Sequence, residues 1–164
     1  MSDNNISKYR SEVIERAINV EWIMSAIICQ HYFKKVIMPF LLEVLYDEYF
    51  NFALKRRILE KIVKDFDKKK LQDLNRLNTI RNYFAHCNQQ IIEGPGIPTE
   101  NNMGKVVDPR KLDKAIDFEK LYGEFMGITG ELEKYIVGIF IKIGGEVSIV
   151  KDNEFVKVED PSKL

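Results

Sequence analysis

The sequence predicts an all-α protein, an antiparallel bundle of four to five helices. Three observations carry this prediction: apolar residues recur at three- and four-residue steps, proline and glycine separate the resulting segments, and the composition is that of a globular chain. Hydrophobic residues make up 45% of the 164 residues and charged residues 30%. We expect residues 1–145 to form the bundle, with a long loop at 91–110, and residues 146–164 to form a tail.

The first helix is predicted to run from a cap at Ser7 to about Phe33. Its apolar stripe consists of Val13, Ala17, Val20, Met24 and Ile27. Pro39 then interrupts the helical pattern.

A second helical region is predicted from Leu41 to about Lys70, with an interruption near residues 49–51. Its later part carries Leu54, Ile58, Ile62 and Phe66 on one side. The other side is basic and consists of Lys55, Arg56, Arg57, Lys61, Lys64, Lys68, Lys69 and Lys70. This face is either an ordinary solvated surface or a patch that contacts RNA.

The third helix, predicted from about Leu71 to Gln90, has the most unusual pattern of side chains. One arc is apolar and consists of Leu77, Ile80, Phe84 and Cys87, widened by Leu74 and Ala85. A second stripe is polar but uncharged and consists of Asn75, Asn78, Asn82, His86 and Gln89. Asparagine is a poor helix former, and such conflicts with local propensity tend to occur where function overrides folding.

A fourth helix is predicted over about Leu112–Ile143, with a kink near residues 127–130. Ile91-Ile92 and Lys105–Val107 flank the long loop and predict a short β-ribbon there. The tail alternates apolar and polar residues around Asp152-Asn153, which predicts a small C-terminal β-hairpin.

Arg81 lies within the apolar arc of the third helix, where its charge needs a partner. It could pair with Glu15 or Glu21 of the first helix and simply tie helices together. Alternatively, Arg81 and His86 together supply a phosphate-binding charge and a proton donor or acceptor, which suffice for RNA cleavage without a metal. The two residues are five positions apart, about 140° around a helix. Catalysis would therefore need two copies of the chain, a homodimer formed through the third helix.

Overall charge and short motifs restrict the other functional classes. Lys plus Arg equals Asp plus Glu at 25 each, so no long-range field attracts nucleic acid. Phosphate-loop and dinucleotide-binding glycine motifs are absent from the sequence, and its two histidines and two cysteines do not have zinc spacing. We expect no cofactor or metal, no membrane segment, and a cytoplasmic location.

The segment Arg81-Asn82-Tyr83-Phe84-Ala85-His86 resembles the signature of the HEPN superfamily: Arg, a polar residue, then His after four to six positions. The resemblance implies a dimeric, metal-independent endoribonuclease of a toxin–antitoxin or defence system, with RNA as substrate and an antitoxin as partner. It implies a catalytic role for Arg81, Asn82 and His86. The same segment also resembles the mannitol-operon repressor family, helical bundles that regulate through protein contacts, which implies a non-catalytic interaction module instead.

Overall fold

The structure is a computed structural model that describes residues 3–86, 105–108, 111–151, 154–158 and 160–161. Its helices are α1 (Asp3–Phe33), α2 (Met38–Phe40, continued by a π-helical turn at Leu41–Leu45), α3 (Phe52–Ile62), α4 (Lys68–His86) and α5 (Phe118–Lys142). Its strands are β1 (Lys105–Asp108), β2 (Lys111–Asp117), β3 (Ser148–Lys151) and β4 (Glu154–Lys157). The predicted all-α bundle is confirmed, with two small hairpins attached.

Helix α1 is the central element, since it packs against α3, α4 and α5. Its 31 residues span about 46 Å. The predicted apolar stripe is confirmed, because all five members are fully buried: Val13, Ala17, Val20, Met24 and Ile27. The other helices therefore assemble around this stripe.

Specific contacts define the helix directions. Tyr9 stacks on Tyr122 with ring centroids 4.2 Å apart, and Gln30 Nε2 donates to the carbonyl of Ile143 at 3.3 Å. Helix α5 thus runs in the same direction as α1. Helix α4 runs antiparallel to α5. The backbone N–H of Asp67, just before α4, donates to the hydroxyl oxygen of Tyr135 late in α5 at 2.8 Å. Arg76, further along α4, pairs with Glu124 near the start of α5.

The apolar arc of α4 is confirmed and positions the conspicuous arginine. Its buried members are Leu74, Leu77, Ile80 and Phe84, and the Phe84 ring meets Phe118 edge-on at 4.8 Å between centroids. Ala85 is exposed, so its assignment to this arc is wrong, and Cys87 lies outside the described residues. Because Arg81 follows Ile80, burial of this arc brings its side chain to the edge of the core.

The prediction that the second helical region continues, after its interruption, to about Lys70 is wrong at this end, since α3 stops at Ile62 and residues 68–70 belong to α4. Helix α3 ends at Ile62, where Val63 is extended, and Asp65 then adopts a left-handed conformation with φ of 60° in the link. The Asp67 carboxylate then accepts hydrogen bonds from the backbone N–H groups of Lys69 (2.7 Å) and Lys70 (3.2 Å) and caps α4. Ser7 is likewise not a cap, because α1 begins at Asp3 and the Ser7 carbonyl accepts from the Ser11 hydroxyl within the helix.

The predicted start of the fourth helix at Leu112 is also wrong. Residues 111–117 form strand β2, which pairs antiparallel with β1. Helix α5 begins after Asp117, whose carboxylate accepts from the backbone N–H of Lys120 at 3.0 Å. It then continues as a single helix to Lys142, and the kink near residues 127–130 stays a prediction. The predicted ribbon thus includes residues 105–107, but with β2 as partner, and residues 91–92 lie outside the described part of the chain.

The tail forms the predicted hairpin, in which β3 and β4 pair antiparallel from Ser148↔Lys157 to Lys151↔Glu154. The backbone N–H of Val158 donates to the Val147 carbonyl at 2.8 Å and extends this pairing. Among the described helices, none is both long enough and apolar enough to cross a bilayer.

The cap at Asp117 gives a direct test of where α5 begins. Asp117→Ala should lower the free energy of unfolding by about 1 kcal/mol, because the N–H groups of the first turn lose their acceptor. Asp117→Asn retains an accepting oxygen and should cost much less. Urea denaturation of both variants checks this, and equal losses for Ala and Asn would contradict the cap.

Candidate functional site around Arg81

Arg81 is held by the first helix, at one of the two carboxylates that the sequence suggested. Its Nη1 donates to Glu21 Oε2 at 3.4 Å. This is a long contact for a charge-assisted hydrogen bond, for which 2.7–2.9 Å is usual. The contact links α4 to α1 near the middle of the bundle.

Glu21 has a second and closer cationic partner. Lys55 Nζ of α3 donates to Glu21 Oε1 at 2.6 Å, so each carboxylate oxygen has its own partner. We call Glu21, Lys55 and Arg81 the Glu21 cluster. The exposed fractions of the side chains are 1% for Lys55, 15% for Glu21 and 29% for Arg81. The cluster therefore runs from a fully buried ammonium to a partly exposed guanidinium.

Two aromatic side chains border the buried end of this cluster. Lys55 Nζ lies 4.3 Å from the centroid of the Tyr46 ring, a cation–π contact. The Tyr46 ring in turn meets Trp22 at 5.7 Å between centroids. Burial, with a further contribution from the charge of Glu21, raises the pKa of Tyr46 to about 12. Tyr46 therefore stays neutral at physiological pH and shields the ammonium from water.

The geometry indicates that Lys55, rather than Arg81, is the principal partner of Glu21. A fully buried ammonium needs a counter-charge, and at 2.6 Å the pairing is close. Arg81 carries five N–H donors, and within the described residues its guanidinium makes a hydrogen bond only to Glu21. The cluster as a whole has one carboxylate and two cations, so one positive charge remains in excess at its exposed end.

The structure gives fewer contacts for the other two predicted site residues, Asn82 and His86. Asn82 follows Arg81 on α4 and is half-buried. His86 is the last residue of α4, and its side chain lies outside the part of the chain that the structure describes. One turn before Asn82, the Oδ1 atom of Asn78 is buried and has no hydrogen-bond partner among the described residues. The structure thus joins Arg81 to Glu21 and Lys55, while the catalytic pairing of Arg81 with His86 stays a prediction.

Lys55 is the residue that the sequence interpretation misplaced, because it was assigned to a basic surface. The buried residues of α3 are Phe52, Lys55 and Leu59, which share one face at steps of three and four. That spacing, with a lysine between two large apolar residues, is the signal that could have identified it. Five other cations of the predicted basic face are exposed, namely Arg57, Lys61, Lys64, Lys68 and Lys69.

An apolar surface lies beside the Glu21 cluster. Ile18 and Trp22 are one turn apart on α1 and are 49% and 38% exposed, and Leu42 and Tyr46 of the segment after α2 are 54% and 37% exposed. We call these four residues the Trp22 patch. The described residues of α4 include no comparably exposed large apolar side chain. The exposed large apolar side chains beside the Glu21 cluster therefore lie on α1 and on the segment after α2, rather than on the described part of α4.

Comparison with known proteins does not assign the chain to a family. No family model, no curated protein and no solved structure matches it. The resemblance to the HEPN superfamily accordingly depends on residues 81–86 and on their position in a helical bundle.

The Glu21 cluster predicts an unequal effect of removing each partner. Glu21→Ala leaves the buried Lys55 ammonium without a counter-charge and should lower the free energy of unfolding by about 3–5 kcal/mol. Arg81→Ala should cost only about 1 kcal/mol, because its contact is long and partly solvated. Glu15→Ala is the matched control, since Glu15 is an exposed carboxylate on the same helix.

Chemical denaturation of the three variants measures these differences. The control should stay within about 0.5 kcal/mol of the unmodified protein. A loss for Glu21→Ala no larger than that of Glu15→Ala would contradict the buried ion pair.

Proposed function

We propose that this protein is a metal-independent endoribonuclease of the HEPN type that acts as a homodimer. The observation that carries the proposal is the sharing of Glu21 between Lys55 and Arg81. Because Lys55 neutralises the carboxylate from the buried side, Arg81 has charge and donors left for an anionic ligand. A phosphodiester is one of the anions whose geometry matches a forked guanidinium.

The proposed reaction begins with the 2′-hydroxyl of one ribose attacking the adjacent phosphorus. A new bond forms between the 2′-oxygen and phosphorus, and the bond from phosphorus to the 5′-oxygen of the next nucleotide breaks. The products are a 2′,3′-cyclic phosphate and a 5′-hydroxyl end. The 2′-hydroxyl loses a proton and the departing 5′-oxygen gains one; His86 carries out one of these two transfers, as general base or general acid, and water carries out the other. Arg81 stabilises the charge that develops on phosphorus oxygens, and Asn82 orients or contacts the phosphate.

A second copy of the chain is part of this proposal. Arg81 and His86 diverge by about 140° on one helix, so their side chains converge on one phosphate only when two copies face each other. The Trp22 patch supplies exposed apolar area for association, and it adjoins the Lys55 end of the Glu21 cluster, because Tyr46 contacts both Trp22 and Lys55. We therefore propose that α1 and the segment after α2 join the third long helix, α4, in the dimer interface.

The biological role that accompanies this activity is a cytoplasmic toxin or defence component restrained by a cognate antitoxin. Uncontrolled RNA cleavage would arrest the cell that produces it. Expression of the chain alone should then stop growth, and Arg81→Ala should relieve the arrest.

A second candidate function is a non-catalytic interaction module, like the mannitol-operon repressor family. Two observations favour it: Arg81 is ion-paired within the chain, and the Trp22 patch exposes apolar side chains suited to a protein partner. On this account, Arg81 connects helices and the same face binds another protein.

RNA cleavage in the presence of EDTA distinguishes the two candidates. The purified chain should cleave single-stranded RNA and leave 2′,3′-cyclic phosphate ends. His86→Ala should reduce the rate about 10²–10⁴-fold through loss of proton transfer. Arg81→Ala should reduce it about 10²–10³-fold through loss of charge stabilisation.

Arg76→Ala is the matched control for the arginine variant. Arg76 lies on the same helix and makes a bidentate pair with Glu124, with both bonds at 2.6 Å, so it carries the same charge without joining the proposed site. Its activity should stay close to that of the unmodified protein. Cleavage that stops with EDTA, or that persists when Arg81 and His86 are both replaced by alanine, would refute the nuclease proposal.

A further inference from the structure

A groove of about 700 Å³ opens at one end of the bundle. It lies where the last turns of α1 and α5 meet the link between α3 and α4. Its apolar lining consists of Ile27, Ile62, Val63, Ile139 and Ile143. We call it the end groove. Helix α4 begins beside it and carries Arg81 about 20 Å further along its axis, so the end groove is separate from the Glu21 cluster.

The rim of the end groove is mainly cationic. Lys64 follows α3, and Lys134 and Lys142 belong to α5; all three line the groove and are exposed. None of these three lysines forms an ion pair within the described residues. Asp65 is the only carboxylate in the lining, and half-buried His31 adds a further polar group. The rim therefore carries a net positive charge of two, with His31 taken as neutral.

We propose that the end groove binds a single-chain anionic amphiphile, a free long-chain carboxylate. Ligand sites of roughly 300–1,000 Å³ combine a mainly apolar lining with a few charged groups that orient the ligand. Branched aliphatic side chains provide the surface for an alkyl chain, and the unpaired lysines of the rim match a carboxylate head group. The charge of the rim disfavours a cationic head group, and the isoleucines give no advantage to a small anion without a chain.

Tyr135 adds a fixed aromatic side chain to a wall whose other apolar members are aliphatic, and this wall favours an alkyl chain over a stacked ring. Tyr135 is held in place, because its hydroxyl oxygen accepts the backbone N–H of Asp67 and its ring meets Phe66 edge-on at 5.2 Å between centroids. A side chain fixed in this way extends the wall of the groove. The remaining apolar wall is aliphatic, which suits methylene groups.

Isothermal titration of the full chain with three probes tests the proposal. Dodecanoate, kept below its micelle concentration, should bind with a stoichiometry of one. Hexanoate should bind at least about 100-fold more weakly, because each buried methylene contributes up to roughly fourfold in affinity. Dodecyltrimethylammonium has the same chain with the opposite charge and should bind at least about tenfold more weakly than dodecanoate.

Two variants locate the site. Lys134→Gln combined with Lys142→Gln should weaken dodecanoate binding about tenfold and leave the cationic probe no weaker. Lys120→Gln is the control, since Lys120 is an exposed lysine of α5 that does not line the groove. Equal affinity for the two dodecyl probes, many bound molecules per chain, or an unchanged affinity in the double variant would overturn the proposal.

Discussion

The ion pair between Lys55 and Glu21 is the constraint on which the arrangement of this bundle depends. Lys55 occupies a face of α3 that is otherwise apolar, and its ammonium is fully buried. Such a charge is tolerated only beside a counter-charge at hydrogen-bonding distance. Glu21 on α1 meets that requirement at 2.6 Å, which specifies how α3 is rotated and how far it is shifted along α1. Arg81 extends the same contact to α4, so three helices meet at one carboxylate.

This arrangement also supports the proposal that Arg81 binds an anionic ligand. If Arg81 were the sole partner of Glu21, the two charges would neutralise each other, and the guanidinium would only connect α4 to α1. Lys55 alters that balance, because it approaches Glu21 more closely and from the buried side. Arg81 is thereby oriented by Glu21 without being neutralised by it. A charged group whose orientation is fixed in advance stabilises developing charge without the cost of reorganisation.

The sequence predicted those features that follow from local periodicity. The buried stripe of α1 and the buried arc of α4 follow from helical spacing. The sequence left Glu15 and Glu21 open as partners for Arg81, and the structure shows that the partner is Glu21. The spacing of Phe52, Lys55 and Leu59 could place Lys55 on the buried face of α3, but the counter-charge that permits its burial lies 34 positions away and is not visible in local spacing. The boundaries of α4 and α5 were misplaced for a related reason, since the caps at Asp67 and Asp117 compete with helical patterns that continue through them. The spacing of residues along the sequence shows neither which distant residues form an ion pair nor whether a cap or a continuing helical pattern prevails at a given position.

The most direct test of the central claim is the affinity for a single-stranded oligonucleotide whose 2′-hydroxyls are replaced by hydrogen, which prevents cleavage. Lys55 is buried and cannot touch this ligand, yet Lys55→Met should weaken binding by about tenfold, or roughly 1.4 kcal/mol, because Glu21 is then left to Arg81 alone. Adding Glu21→Gln to Lys55→Met should restore the affinity, since the competing charge is removed. Circular dichroism confirms that each variant is folded. An affinity unchanged by Lys55→Met in a folded protein would contradict the account.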